Sequence, residues 1–148
     1  MYKHILIATD GSEFAAKGVQ HGLALAEALA AKVTVLRVVE PLEREAVKEA
    51  AASGIDNPVI RYDQQIDDSM KTQFASIEQR AAEHGIPVEL LHEIDDAPSK
   101  AIVRAARLTG CDLIVMTTHG RRGAQRLVLG SQTDEVVTHT DVPVLVVR

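Results

Sequence analysis

The residues best suited to chemistry lie between Val115 and Thr133. An apolar run, Leu113-Ile-Val-Met116, leads into Thr117-Thr118-His119-Gly120-Arg121-Arg122, and ten residues after Gly120 stands Gly130-Ser131, at the start of a new helical pattern. Glycine lets backbone N–H groups turn toward a ligand with no Cβ in the way, and a helix start presents unpaired donors at its positive dipole end. Backbone of this kind suits phosphate. Arg121, Arg122 and Arg126 then serve either as neutralising cations or as solvated surface. His119 reads as a loop-orienting residue rather than a proton carrier. On the plainer reading, Gly130 closes a short helix over residues 122–129 and Ser131 caps the next one, with Asp134 three residues on as in a capping box. A capping serine still has a hydroxyl to offer a phosphate.

Asp10 follows a second apolar run directly, in Ala8-Thr-Asp-Gly-Ser12. A carboxylate at the end of such a strand can accept from a ribose hydroxyl or help hold Mg²⁺ beside a phosphate. It can equally close a turn, with Gly11 supplying the geometry. Other phosphate and metal signatures are missing. The chain has no G-x-x-x-x-G-K-[ST], no G-x-G-x-x-G after the first strand, no G-x-S-x-G and no paired-histidine zinc spacing. His92-Glu-Ile-Asp-Asp96 reads as a strand end and helix entry rather than a metal site.

The elements that must position these residues are legible as alternating periods. Ile5-Leu-Ile-Ala8, Val33-Thr-Val-Leu-Arg-Val-Val39, Leu113-Ile-Val-Met116 and Val142-Pro-Val-Leu-Val-Val147 are strands, with Pro87-Val-Glu-Leu-Leu91 a weaker fifth. Their nearly continuous apolar character suits strands buried on both faces of a parallel sheet. Helical spacing predicts helices over residues 13–30, 69–84, 98–108 and 132–140, the first opened by Ser12 and the second closed by Gly85 with Pro87 beyond. Gly18 and Gly22, one turn apart, allow the first helix to pack closely on the sheet. Residues 40–69 interrupt the alternation as a long insertion. A helix over residues 42–52 ends by Gly54, and Asn57-Pro58 and Asp67-Asp68 read as loop. The alternation points to one doubly wound α/β domain over residues 1–148.

Composition sets the outer limits. The net charge is −5 and only two Phe, two Tyr and no Trp occur, which argues against a nucleic-acid partner. Apolar residues make up 46% and no window approaches the roughly 20 apolar residues of a membrane span. A lone cysteine, Cys111, and an N-terminus that meets Asp10 after a short apolar run fit a cytoplasmic protein.

Together these residues resemble the universal stress protein family over essentially the whole chain. The resemblance is carried by Lys3-His-Ile-Leu-Ile-Ala-Thr-Asp-Gly-Ser12, Val35-Leu-Arg-Val-Val39, Cys111-Asp-Leu-Ile-Val-Met116, the segment from His119 to Gly130-Ser131, and the closing Asp141-Val-Pro-Val-Leu-Val-Val-Arg148. It implies a five-stranded parallel sheet of order 3-2-1-4-5, of the adenine-nucleotide alpha-hydrolase-like type, and commonly a homodimer. The ATP-binding branch carries G-x2-G-x9-G-[ST]. Gly120, Gly130 and Ser131 fit it, but Thr117 stands where the first glycine belongs. That glycine lies near the ribose, so Thr117 either crowds a nucleotide or donates its hydroxyl to one. Position by position, the resemblance places Ala8, Asp10 and Val38 on the base and ribose side. Gly120 and Arg121 fall in the phosphate loop, and Gly130, Ser131, Gln132 and Thr133 at the helix start. It implies ATP, or AMP, as a regulatory ligand of a stress-response protein, with Mg²⁺ accompanying the nucleotide near Asp10. A slow ATPase or phosphotransferase is the enzymatic alternative, although no residue stands out to orient a nucleophile. The other alternative is a dimerisation module that binds no nucleotide. In the implied strand order residues 143–148, from Pro143, form an apolar edge, which points to a homodimer through that strand.

Overall fold

The computed structural model describes residues 1–118 and 130–148. Along them run β1 (His4–Thr9), α1 (Glu13–Leu29), β2 (Lys32–Val39), α2 (Arg44–Ala52), α3 (Pro58–Glu83), β3 (Val88–Ile94), α4 (Pro98–Thr109), β4 (Leu113–Thr117), α5 (Ser131–His139) and β5 (Val144–Val147). The strands are parallel and ordered β3-β2-β1-β4-β5, the order that the family resemblance implies.

The apolar runs form strands because both faces of the sheet are covered. Ile5, Leu6 and Ile7 of β1 are wholly buried, as are Ile114 and Val115 of β4. Period-two alternation then sorts each strand between two cores. Ile5, Ile7, Val33, Val35, Leu113 and Val115 meet Val19 and Leu23 of α1 and Ile77 of α3. Leu6, Leu36, Ile114 and Met116 meet Ile102 and Ala105 of α4 and Val136 of α5. Ser12 caps α1 by accepting from the Ala15 N–H at 3.1 Å. The packing role expected of Gly22 is literal: a Cβ there would lie 2.5 Å from Ile7 Cδ1.

Three local readings are corrected. Asp67-Asp68 is not loop, because α3 runs unbroken for 26 residues from Pro58. Asn57, at φ 49°, makes the turn and Pro58 occupies the first helical position, where its missing N–H costs nothing. The two aspartates sit on the exposed side, while Tyr62, Ile66, Met70, Phe74 and Ile77 continue the inward stripe across them. The insertion is therefore a helical hairpin of α2 and the first half of α3. β3 extends past Leu91 to Ile94 by pairing with β2 as far as Val39. Finally, Gly130 rather than Ser131 is the N-cap of α5, and Ser131 is its first helical residue.

Candidate functional site

Strand order reverses between β1 and β4. From β1 the chain winds outward through β2 and β3, and from β4 through β5. The helices leaving these two strands cover opposite faces, so a crevice opens beyond their carboxyl ends. Ile7 pairs with Val115, and two residues further on each strand stand Thr9 and Thr117. The expected site residues Ala8, Asp10, Thr117 and the start of α5 thus converge on one end of the sheet. Gly120 and Arg121, with His119, Arg122 and Arg126, lie outside the described residues.

The loop after β1 is built by its own side chains. Asp10 accepts the Ser12 N–H at 2.9 Å, and the Thr9 hydroxyl accepts the Gly11 N–H at 3.2 Å. Gly11 has φ +77°, a left-handed conformation that only glycine adopts cheaply. The turn role of Asp10 is therefore real, and it fixes the carboxylate at the mouth of the crevice. Ala8 lies on the α4–α5 face of the sheet, in a cluster with Leu36 and Met116 against which Val38 packs.

Arg37 went unnoticed in the sequence as anything but an interruption of β2. Its side chain is only 4% exposed, and its guanidinium donates to the Gln73 side-chain oxygen on α3. It lies directly under the turn: a Cβ on Gly11 would come within 2.9 Å of Arg37 Cζ and 2.6 Å of Gln73 Oε1. The available signal was position. A cation two residues from the carboxyl end of a strand buried on both faces needs a partner, and here that partner comes from α3.

Thr117 does not face the same way as Ala8 and Val38. It continues the Leu113–Val115 side of β4 toward α1, is 7% exposed, and sets its methyl 3.0 Å from where a Gly18 Cβ would stand. Its carbonyl accepts the Thr133 hydroxyl at 2.8 Å. The Gly130 N–H donates to the Thr118 carbonyl at 2.7 Å, and the Thr118 N–H to Val147 at 3.0 Å. The first turn of α5 is thereby pinned to the end of β4. Thr133 is buried and spends its proton on this contact. Gln132 reaches the other way, its Oε1 accepting the Ser99 N–H of α4 at 2.9 Å, and the Ser99 hydroxyl donates to Glu135 at 2.5 Å. Ser131 is left exposed. With glycine as N-cap, no side chain among the described residues caps α5, and its start carries the positive end of the helix dipole.

Electrostatics elsewhere on the sheet is structural. Asp95, after β3, accepts the Ala97 N–H at 2.8 Å and pairs with Arg104, and both contacts hold its carboxyl below the usual range. That contact continues into α4, so the His92–Asp96 stretch is the strand end and helix entry it promised to be. Burial pushes the Cys111 thiol up, which suits a small core hydrophobe. Among the described residues no group of three or more His, Cys, Asp or Glu could hold a metal ion, and no helix is long and apolar enough to cross a membrane. A groove of about 360 Å³ between α1 and β5 is lined by Lys17, His21, Val147 and Arg148 among others.

Residues 1–148 match the family model described as the universal stress protein family. A universal stress protein of Thermus aquaticus is 32% identical, with both chains covered completely. The universal stress protein MJ0577 of Methanocaldococcus jannaschii is 29% identical over all of this chain and 96% of its own. Its structure superposes with a TM-score of 0.78 over 99% of this chain and 96% of that one. A universal stress protein solved in complex with cAMP shares the fold at a TM-score of 0.71 and 21% identity, over 99% of this chain and 97% of that one.

Proposed function

The chain belongs to the universal stress protein family, and from that premise we propose that it binds an adenine nucleotide, ATP or AMP, as a regulatory ligand of a cytoplasmic stress response. The carrying observation is the crevice at the strand-order reversal, where a helix start opened by Gly130 shares one end of the sheet with the carboxylate of Asp10. The relative solved with cAMP supports adenine nucleotide as the ligand class.

On this reading each part of the crevice meets a matching part of the ligand. Ala8 and Val38 offer an apolar surface to adenine. Asp10, already fixed by Ser12, accepts from the ribose or joins a phosphate-borne Mg²⁺, which takes oxygen ligands and keeps most of its water. The N–H groups at the start of α5 and the Ser131 hydroxyl receive phosphate, and Gly120 and Arg121 complete the phosphate loop. Gln132 and Thr133 contribute their backbone, since their side chains are engaged with α4 and β4. Thr117 faces α1, which favours a site that tolerates it over one that it blocks. The apolar edge at β5 fits a homodimer.

Thermal melting tests this reading. A nucleotide at about 100 times its dissociation constant stabilises the folded state by roughly 2.7 kcal/mol. Melts with ATP and Mg²⁺, or with AMP, are expected to shift upward, and Gly130→Val to abolish the shift. At φ −58° and ψ 149° the backbone of position 130 accommodates a valine, and the melt of the unliganded variant checks that it folds. No shift of the unmodified protein at millimolar ATP or AMP refutes the nucleotide reading.

A further inference from the structure

We propose that the α2–α3 hairpin is a docking surface for a basic amphipathic helix of another protein. The hairpin cannot bury a core of its own. α2 has no buried residue, and among the described residues its main packing partner is α3, beside which Ala46, Val47 and Ala50 are half-buried. The Tyr62 hydroxyl, donating to the Glu40 carbonyl at 2.8 Å, ties the base of the hairpin to the end of β2. At the tip Ile55, Val59 and Ile60 stand 41%, 47% and 57% exposed, within six residues of one another. Scattered exposed aliphatics need no explanation, but a contiguous set beside an incomplete two-helix layer marks a place where a third element fits.

Charge selects the occupant. Residues 40–69 hold eight acids against three bases, a net −5 that equals the charge of the whole chain, so the remainder is neutral. A second copy would set one acidic hairpin against another, or against a surface with no net positive charge to offer. Nucleic acid and anionic membrane are repelled for the same reason. A helix with apolar residues at i, i+3 and i+4 and lysines or arginines flanking them satisfies both halves of the surface, the apolar tip and the acidic flanks.

The probe is a fluorescent peptide of about 18 residues in which Leu and Lys alternate with helical period, tested on the intact chain by anisotropy. A peptide of the same composition in scrambled order is the control. The patterned peptide is expected to bind and the scrambled one to bind much more weakly. Binding should fall when salt rises from 0.1 to 1 M and the screening length shrinks from about 10 to about 3 Å. Val59→Ser with Ile60→Ser should weaken it about tenfold or more, since both apolar side chains lose the surface they would bury against the peptide. Both positions are exposed, so the melting temperature should hold, and Ile60→Ser alone gives a second, milder variant. The proposal is overturned if the patterned peptide does not bind or if the scrambled peptide binds as well. It is also overturned if the serine substitutions leave binding unchanged, or if the unmodified chain self-associates through this surface and the serine variant does not.

Discussion

The methyl group of Thr117 packs against the bare face of Gly18, 3.0 Å from where a Cβ on that glycine would stand. Thr117 replaces the first glycine of the nucleotide-binding motif, and Gly18, one helix away, leaves the room its side chain needs. The pair joins the end of β4 to the middle of α1 and turns the threonine out of the crevice. On the proposed reading its effect falls on packing rather than on the ligand.

A double-mutant cycle reads this directly. Gly18→Ala gains about 1 kcal/mol of helix propensity but sets its new methyl 3.0 Å from that of Thr117, so its net cost depends on how far the Thr117 methyl gives. Thr117→Ser removes the opposing methyl, so Gly18→Ala should cost clearly less in that background, measured by urea unfolding. Thr117→Gly should lower stability while leaving nucleotide affinity within about twofold. Equal costs of Gly18→Ala in both backgrounds would sever the pair. A tenfold change in affinity for Thr117→Gly would put the side chain back in the site.

The acid limb of stability should report Asp112. Its carboxylate accepts the backbone N–H groups of Lys3 at 2.9 Å and His4 at 3.1 Å, tying the entry of β1 to that of β4. Burial pushes its pKa up, but these N–H contacts outweigh burial and the net shift is downward. A carboxyl depressed in the folded state stabilises the protein above its unfolded pKa, and that stability is lost as pH falls through the folded value. Asp112→Asn is expected to cost about 1 kcal/mol at pH 7, the net worth of one hydrogen bond. The gap to the unmodified protein should close as pH falls through and below the ordinary aspartate range. A gap that is constant with pH would mean that charge at Asp112 contributes nothing.

What was legible in the sequence divides along one physical line. β1, β2 and β4 read correctly because a strand buried on both faces has no choice but to be apolar, whereas the strand order that brings β1 beside β4 came only with the family resemblance. α3 was half missed because Asp67-Asp68 looks like a loop when taken locally. The pair is tolerated because it rides the exposed side of a helix whose inward stripe continues to Met70. Arg37 was missed for a complementary reason. Its partner Gln73 lies 36 residues away, so no local pattern announces the pairing. Ser131 was misassigned as the N-cap because a serine competes well for that position. In the structure the Gly130 carbonyl accepts the Asp134 N–H at 2.9 Å, the first bond of the helix, so the cap lies one residue earlier.

The last prediction concerns the edge of the sheet. Among the described residues β5 pairs only with β4, so its outer row of N–H and C=O groups faces away from the sheet. Natural edges are usually protected by charge, proline or a covering element. Pro143 guards the start, but Val144-Leu-Val-Val147 carries no charge before Arg148. Leu145 is 36% exposed in the middle of the strand, whereas Val146 is half-buried on the opposite face. A lysine at Leu145 therefore tests association with little disturbance of the fold, and a lysine at Val146 would confuse the two. If two copies meet edge to edge about a two-fold axis, each satisfies the other's open groups, and the unmodified protein is a dimer. Leu145→Lys is expected to convert it to a monomer in chromatography with light scattering while keeping its helical signal. A monomeric unmodified protein at the same micromolar concentration would exclude the dimer, as would a Leu145→Lys variant that stays fully dimeric.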